Sequence, residues 1–335
     1  MRKLIPLFVL ALAIAGCGGD DEAASGDGTL TIYSGREEEI VEPLLERFEE
    51  STGIEIEVRY GDSAELAATI SEEGENSPAD VFFAQDPGSL GAVEQEGLLA
   101  ELPQELLERV DARFRDPDGH WVGTSGRVRV VAYNTDLLGE SELPESILDF
   151  TDPRWRGKIG FPPTNASFQA FVTAMRLTQG DDQTREWLEG IKANEPKLYE
   201  KNLPTVEAVG RGEVEVGFVN HYYLFLAKEE SPDLAVANHY LTSGDAGALV
   251  SVAGVGILER SEAAEQFVEF LLSDEGQRFY AEEAEETEYP LVSGIDPKEG
   301  LPALDELQGP EIELDALGPE LERTLELLNE VGFTS

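Results

Sequence analysis

Cysteine, histidine and basic residues are scarce in this sequence of 335 residues. It has one cysteine, three histidines and 24 lysines and arginines, against 69 aspartates and glutamates. A single cysteine excludes an internal disulfide and a cysteine-rich metal cluster, and so few histidines argue against a structural zinc site. The net charge of −45 argues against a nucleic-acid partner, because the phosphate backbone is bound by an excess of lysine and arginine.

Long apolar runs are also rare, and the clearest one stands at the start of the sequence. Residues 1–16 place Arg2 and Lys3 before an apolar run that ends in small residues and Cys17, which predicts a lipoprotein signal peptide with lipidation at Cys17. An ordinary secretory signal with a chance cysteine is the alternative. The small and acidic residues 17–28 are predicted to be a flexible tether. No later stretch has the apolar length of a membrane span. We therefore expect the protein at the extracytoplasmic face of the cell membrane or in the periplasm, held only by a lipid anchor.

The remaining sequence predicts an α/β protein with two lobes. Hydrophobic residues make up 41% of the sequence, enough to build a core, and the length exceeds what one compact core usually holds. Short β-rich runs alternate with amphipathic helical stretches, the pattern of α/β layers. Two long strands, near 126–133 and 250–258, are predicted to cross between the lobes as a hinge that closes around a ligand.

A pair of adjacent tyrosines follows a predicted strand over residues 214–219. The segment reads Asn220, His221, Tyr222 and Tyr223. Two phenol oxygens can bind a trivalent cation, because its charge favours the deprotonated form of a group whose ordinary pKa is about 10. Packing at the edge of a core, or at a sugar-binding surface, explains such a pair equally well. The residues alone leave these interpretations open.

Five blocks of the sequence carry a resemblance to a known family. They are residues 33–36 (YSGR), 78–82 (PADVF), 125–129 (SGRVR), 154–160 (RWRGKIG) and 220–223 (NHYY). In order and spacing these blocks resemble the ferric-iron-binding periplasmic proteins, the substrate-binding components of iron ABC transporters. The resemblance implies a two-lobed, type II-like periplasmic binding protein (a "Venus flytrap") with two crossover hinge strands. It also implies Fe3+ as the transported ligand, phosphate or carbonate as a synergistic anion, and a monomer that serves an ABC permease and its ATPase.

The same resemblance assigns candidate metal ligands. Tyr222 and Tyr223 match the tyrosine ligands of the family. Where some members have a histidine, or a His-Tyr pair, this sequence has Glu37 and Glu38. Glu37 is a candidate third ligand, since a carboxylate is a hard oxygen donor. The alternative is an acidic residue that complements a helix dipole. Gln85 replaces a family glutamate and is expected to hydrogen-bond near the site.

An anion site is expected beside the metal. Asn165, Ala166 and Ser167 open a predicted helix, whose free N–H groups can bind an anion, and Asn220 is a further donor that matches the family. Helix capping by Asn165 and Ser167 is compatible with that role. Arg127 and Arg129 share one face of a predicted strand, so that one of them can offset the anion's charge; an internal salt bridge is the alternative for both.

These expectations combine into one functional hypothesis: an extracytoplasmic solute-binding lipoprotein captures ferric iron, with a synergistic anion, between two lobes and delivers it to an ABC permease. The N-lobe is predicted to comprise residues 29–128 and 252–300, and the C-lobe residues 129–251 and 301–335. A binding protein of the same fold for a phosphonate, another oxyanion or a polyamine is the alternative. An enzyme is disfavoured, because a nucleophile elbow, a histidine-paired serine or cysteine, and a zinc signature are all missing from the sequence.

Overall fold

The computed structural model describes residues 29–284 and 286–334. The predicted signal peptide, the tether and Cys17 lie outside these ranges. The strands are β1 (Thr29–Ser34), β2 (Glu55–Tyr60), β3 (Val81–Ala84), β4 (Trp121–Asn134), β5 (Ile159–Phe161), β6 (Lys197–Leu198), β7 (Val216–Asn220), β8 (Val236–His239), β9 (Val250–Ile257) and β10 (Tyr289–Pro290). The α-helices are α1 (Glu38–Thr52), α2 (Ser63–Glu73), α3 (Pro87–Gln95), α4 (Gln104–Leu107), α5 (Ala166–Gln179), α6 (Asp181–Ala193), α7 (Asn202–Gly210), α8 (Tyr223–Glu230), α9 (Glu262–Leu271), α10 (Asp274–Arg278) and α11 (Leu321–Val331).

Strand β4 links two halves of a mixed sheet. The strand order is β2-β1-β3-β9-β4-β7-β5-β6, with β8 and β10 also paired to β4. Residues 121–128 of β4 pair antiparallel with β9, whereas residues 129–134 pair antiparallel with β7 and β8. One continuous strand therefore passes from one half to the other. The predicted strands near 126–133 and 250–258 are confirmed, and the first is longer than predicted.

Each half of the sheet has its own aromatic core. In the first half, Phe48 of α1 packs edge-on against Phe267 of α9, with ring centroids 5.2 Å apart. In the second, Phe161 and Phe168 stack at 4.6 Å, and Phe171 contacts Trp187 at 5.5 Å. Aromatic rings contribute large buried areas. The predicted amphipathic helices therefore bury the apolar faces that their spacing indicates.

The C-terminal residues contact both halves. The turn Asp315–Leu317 lies against α3, whereas α11 packs on α5 and α6. Thr324 of α11 shares a 2.8 Å hydrogen bond with Thr173 of α5. The chain thus passes between the halves again before α11. The lobe limits inferred from the sequence stay a prediction.

The segment after α10 returns the chain to the centre of β4. A π-helical turn, Phe279–Glu283, follows α10 directly. Strand β10 then pairs antiparallel with β4, with Tyr289 opposite Gly126. Residues 286–288, which we call the strap, therefore lie where the two sheet halves meet. Within the described ranges, every helix is too short or too polar to traverse a lipid bilayer.

Candidate functional site

The tyrosine pair lies at the carboxyl end of β7, as the sequence predicts. The strand ends at Asn220, the chain turns at His221, and Tyr222 caps α8, whose first residue is Tyr223. The hydroxyl of Tyr222 donates to that of Tyr223 over 3.0 Å. Adjacent ligand oxygens of a small octahedral ion with bonds of about 2.0–2.1 Å are about 2.9 Å apart. The two phenol oxygens thus already have the separation of neighbouring metal ligands.

Tyr222 is nearly inaccessible to solvent, which affects its protonation. The residue is 3% exposed. Burial raises the pKa of Tyr222 well above its ordinary value, and the charges of Glu286 and Tyr223 raise this pKa further. Desolvation and nearby negative charge both disfavour the phenolate. Tyr222 is therefore a neutral phenol at pH 7 unless a cation takes the place of its proton.

Both ring nitrogens of His221 form hydrogen bonds with the backbone around the tyrosines. Its Nδ1 accepts from the N–H of Val128 at 3.3 Å, and its Nε2 donates to the carbonyl of Thr287 at 3.0 Å. Burial lowers the pKa of His221 to about 4. Since both ring nitrogens are used, His221 orients its surroundings and has no nitrogen left for a metal. It also ties the tyrosine turn to the strap.

Arg129 places a buried positive charge beside the phenols. Its guanidinium donates to the Ser167 hydroxyl and to the Asn220 side-chain oxygen, both at 3.1 Å. Arg129 is 4% exposed, and no carboxylate of the described residues forms a salt bridge with it. Burial lowers the pKa of Arg129 to about 9, against the raising effect of Tyr223 and Tyr222. A buried charge without a counter-ion is costly, so this place favours a bound anion or a phenolate.

The predicted anion site at the start of α5 contacts Arg129 through the hydroxyl of Ser167. Asn165 caps α5, and its side-chain oxygen accepts from the Ser167 N–H at 3.1 Å and from the Ser167 hydroxyl at 2.5 Å. Ala166 is the first residue of that helix. Asn202, which the sequence analysis did not single out, donates to the same oxygen at 3.1 Å. Capping therefore does occur here, and it fixes the Ser167 hydroxyl beside Arg129.

Arg127 faces a different group, the buried carboxylate of Glu288. The Nε of Arg127 lies 3.5 Å from Glu288, and its guanidinium also donates to the backbone carbonyl of Gln85. Glu288 accepts two hydrogen bonds from Arg36, at 3.0 and 2.9 Å, and one from Ser125 at 2.7 Å. Burial opposes ionisation, but Arg36 and Arg127 hold the pKa of Glu288 below its ordinary value. The internal salt bridge considered for Arg127 is present.

Gln85 and Glu37 are not brought into contact with the tyrosines. The Gln85 backbone N–H donates to Ser63, and its side-chain oxygen is buried without a hydrogen-bond partner in the described residues. Glu37 is exposed and occupies the N-cap position of α1, where its side chain makes no capping bond. A groove of about 800 Å³ is lined by first-turn residues of both α1 and α8. Neither Glu37 nor the two tyrosines are among the residues that line this groove.

A further carboxylate, Glu286, escaped the sequence analysis. Its Oε2 is inaccessible to solvent and has no hydrogen-bond partner among the described residues. Burial and the neighbouring Glu288 raise the pKa of Glu286, whereas Arg36, Arg127 and the nearby hydroxyl of Tyr222 lower it. Among the neighbouring charges, that of Glu286 raises the pKa of Tyr222 the most. No sequence signal separates this residue from the other glutamates between 282 and 288.

The groups around the tyrosine pair suit metal binding through phenolate and other oxygen ligands more than through a cluster of His, Cys, Asp and Glu side chains. In residues 29–284 and 286–334, no three His, Cys, Asp or Glu side chains come together in a way that could hold a metal ion. Phenolate and carboxylate oxygens are hard donors, which favour hard cations.

Comparison with known proteins gives the family. The sequence profile of the bacterial extracellular solute-binding proteins matches residues 76–307. The chain belongs to this family. It is 32% identical to the Fe(3+)-binding periplasmic protein of Serratia marcescens over 93% of each chain. It is likewise 32% identical to the major ferric iron-binding protein of Neisseria meningitidis serogroup B, over 91% of this chain and 93% of the relative.

Solved structures agree with the sequence relatives. This solute-binding protein superimposes on iron-bound HitA from Pseudomonas aeruginosa with a TM-score of 0.80 and 36% identity, covering 91% of this chain and 99% of that one. The resemblance to periplasmic ferric-iron-binding proteins and the two-lobed α/β fold predicted from the sequence are confirmed. The relatives are binding proteins by name, and the family is extracellular, in agreement with the predicted extracytoplasmic location.

Proposed function

We propose that this protein captures ferric iron together with a synergistic anion between its two lobes and delivers it to an ABC permease and its ATPase. One observation carries the proposal: two phenol oxygens lie 3.0 Å apart beside a buried guanidinium that has no carboxylate partner in the described residues. The names of the relatives support iron as the ligand. The protein acts as a binding protein without enzyme activity, and works as a monomer anchored by a lipid on Cys17.

Capture follows from the chemistry of these groups. The ferric ion replaces the hydroxyl protons of Tyr222 and Tyr223 and binds the two phenolates. Phosphate or carbonate completes the coordination, held by Asn165, Ala166 and Ser167 at the start of α5 together with Asn220. Arg129 neutralises the anion at that place. The anion thus binds where the protein already has an uncompensated positive charge.

Lobe closure completes the site and controls release. Glu37 begins α1 on the far side of the cleft, and its carboxylate joins the ion when the lobes close. Gln85 and Arg127 lie beside the site and hold its N-lobe wall through their mutual hydrogen bond. Opening of the lobes, loss of the anion or reduction of the metal releases the iron. No covalent step with the protein is needed.

One observation favours a second class of ligand, the oxyanions. An oxyanion such as a phosphonate could bind Arg129, Ser167 and Asn220 without using the phenols, because these three groups already form a polar cluster. Buried arginines at the same place disfavour a polyamine, since like charges repel. The two ligand classes differ in whether the tyrosines are needed.

The deciding experiment uses visible absorption of the metal complex. The protein is stripped with a chelator, and ferric ion is added with carbonate or phosphate. We expect a tyrosinate-to-iron charge-transfer band that the Tyr222→Phe, Tyr223→Phe double variant lacks. Tyr133→Phe is the matched control, because this buried tyrosine lies at the opposite end of β7, paired with Val216. Stabilisation by a phosphonate or a polyamine, with no colour on adding iron, would support the alternative ligands instead.

A further inference from the structure

The strap holds Glu286 against the tyrosine turn. The carbonyl of Thr287 accepts a 3.0 Å hydrogen bond from His221, the residue before Tyr222. The rings of His221 and Tyr289 lie with centroids 4.9 Å apart. The residues that follow Glu286 are thus held against His221, the residue that precedes the metal-binding pair.

The backbone beside Glu286 is strained. Thr287 has a φ of +42°, which is unusual for a β-branched residue. Such conformations persist only where the surroundings enforce them, and they are concentrated at functional sites. The π-helical turn just before the strap is another feature that occurs often at such sites. Thr287 therefore holds an unfavourable backbone conformation directly beside Glu286.

The carboxylate itself is incompletely satisfied. Its Oε2 is buried and accepts no hydrogen bond from the described residues. Neighbouring Glu288, by contrast, accepts bonds from Arg36 and Ser125. A buried acceptor without a partner destabilises the protein, and more so when it is charged. A partner that arrives from solution would remove that destabilisation.

We propose that Glu286 is an additional protein ligand of the ferric ion, binding it through its carboxylate next to the phenolate of Tyr222. The inference rests on the proposed function and extends its ligand set. Before the anion and Glu37 bind, two phenolates leave one positive charge on a trivalent ion, and Glu286 neutralises that charge inside the protein. Glu37, in contrast, is exposed and reaches the ion only from the edge of the cleft. A carboxylate is a hard oxygen donor suited to this cation.

The test compares Glu286→Gln with Glu282→Gln. Both changes remove one negative charge from nearby positions, but Glu282 is exposed in the π-helical turn, where its ion-pair partner among the described residues is Arg278. Iron affinity is measured by competition with citrate, and the charge-transfer band is recorded. We expect Glu286→Gln to bind iron at least tenfold more weakly, with the band at longer wavelength, because loss of an anionic ligand leaves the ion more electron-poor. Glu282→Gln should match the unaltered protein.

Two further measurements separate ligation from folding and from orientation. The iron-free Glu286→Gln protein should unfold at the same temperature as the unaltered protein or higher, because an unsatisfied buried charge is removed. Glu286→Asp keeps a carboxylate and should keep the band position. An unchanged affinity and band in Glu286→Gln overturns the inference, as does weaker binding with an unshifted band, which would mean that Glu286 only orients Tyr222. A colourless unaltered protein refutes the proposed function, and with it this inference.

Discussion

Replacing Tyr222 by phenylalanine should change how iron affinity depends on pH. Burial raises the pKa of this phenol well above its ordinary value, so the iron-free protein keeps the proton throughout pH 5.5–7.5. Iron binding must release that proton if the phenolate is a ligand. The affinity of the unaltered protein therefore falls as pH falls, by one more power of ten per pH unit than that of Tyr222→Phe.

The size of this difference in pH dependence follows from the release of one proton. One unit of pH corresponds to about 1.36 kcal/mol for each proton exchanged. Over two units the difference in binding free energy between the two proteins should change by about 2.7 kcal/mol, which is a factor of about 100. The Tyr222→Phe variant should thus be weakened about a hundredfold more at pH 7.5 than at pH 5.5.

The assay is competition with one chelator, with both proteins measured side by side at each pH. Hydrolysis of ferric ion, protonation of the chelator and protonation of the anion affect both proteins equally, so they cancel in the affinity ratio. Tyr133→Phe, with its buried ring at the other end of β7, should give a ratio near one at every pH. If the ratio for Tyr222→Phe stays constant across the range, Tyr222 keeps its proton in the complex and is not a ligand.

Four other changes test separate parts of the proposal. Arg129→Gln should weaken iron binding at least tenfold in carbonate or phosphate but little without added anion, as measured by the same competition. Glu288→Gln should lower the free energy of unfolding in urea by about 3–5 kcal/mol, because it leaves buried Arg36 without its counter-ion. Glu37→Gln should weaken the iron complex; unchanged binding would make Glu37 a helix-dipole residue only. Cys17→Ser should move the protein from the membrane pellet to the soluble fraction.

The regular elements could be predicted from the sequence because their patterns are local. Helix α1 shows this, since Leu44, Leu45 and Phe48 recur at helical spacing and are all buried. The apolar run of β7 ends at a polar residue, so the tyrosine pair could be placed at a strand end. The position of β9 between β3 and β4 could not, because it depends on pairing between residues far apart in the sequence.

The candidate site divides in the same way. Ser167 and Asn220 were predicted because the family resemblance implies an anion site at a helix start and a donor before the tyrosines, and both positions can be located from local patterns. Glu286 was missed because it is one of several glutamates in a short acidic run, and nothing in their spacing marks the one whose charge acts on Tyr222. The π-helical turn and the pairing of β10 with β4 decide which of them faces inward. Both are tertiary features that local periodicity does not encode.

The two buried arginines show how the fold separates a structural charge from a ligand-binding one. Arg36 is paired with Glu288 through two hydrogen bonds, so an incoming anion would have to displace a carboxylate. Among the described residues, Arg129 donates hydrogen bonds to neutral groups, Ser167 and Asn220. A protein with a net charge of −45 repels anions at long range. The proposed capture of a synergistic anion therefore requires a positive charge without a carboxylate partner near the tyrosines, and within the described part of the chain Arg129 meets that requirement.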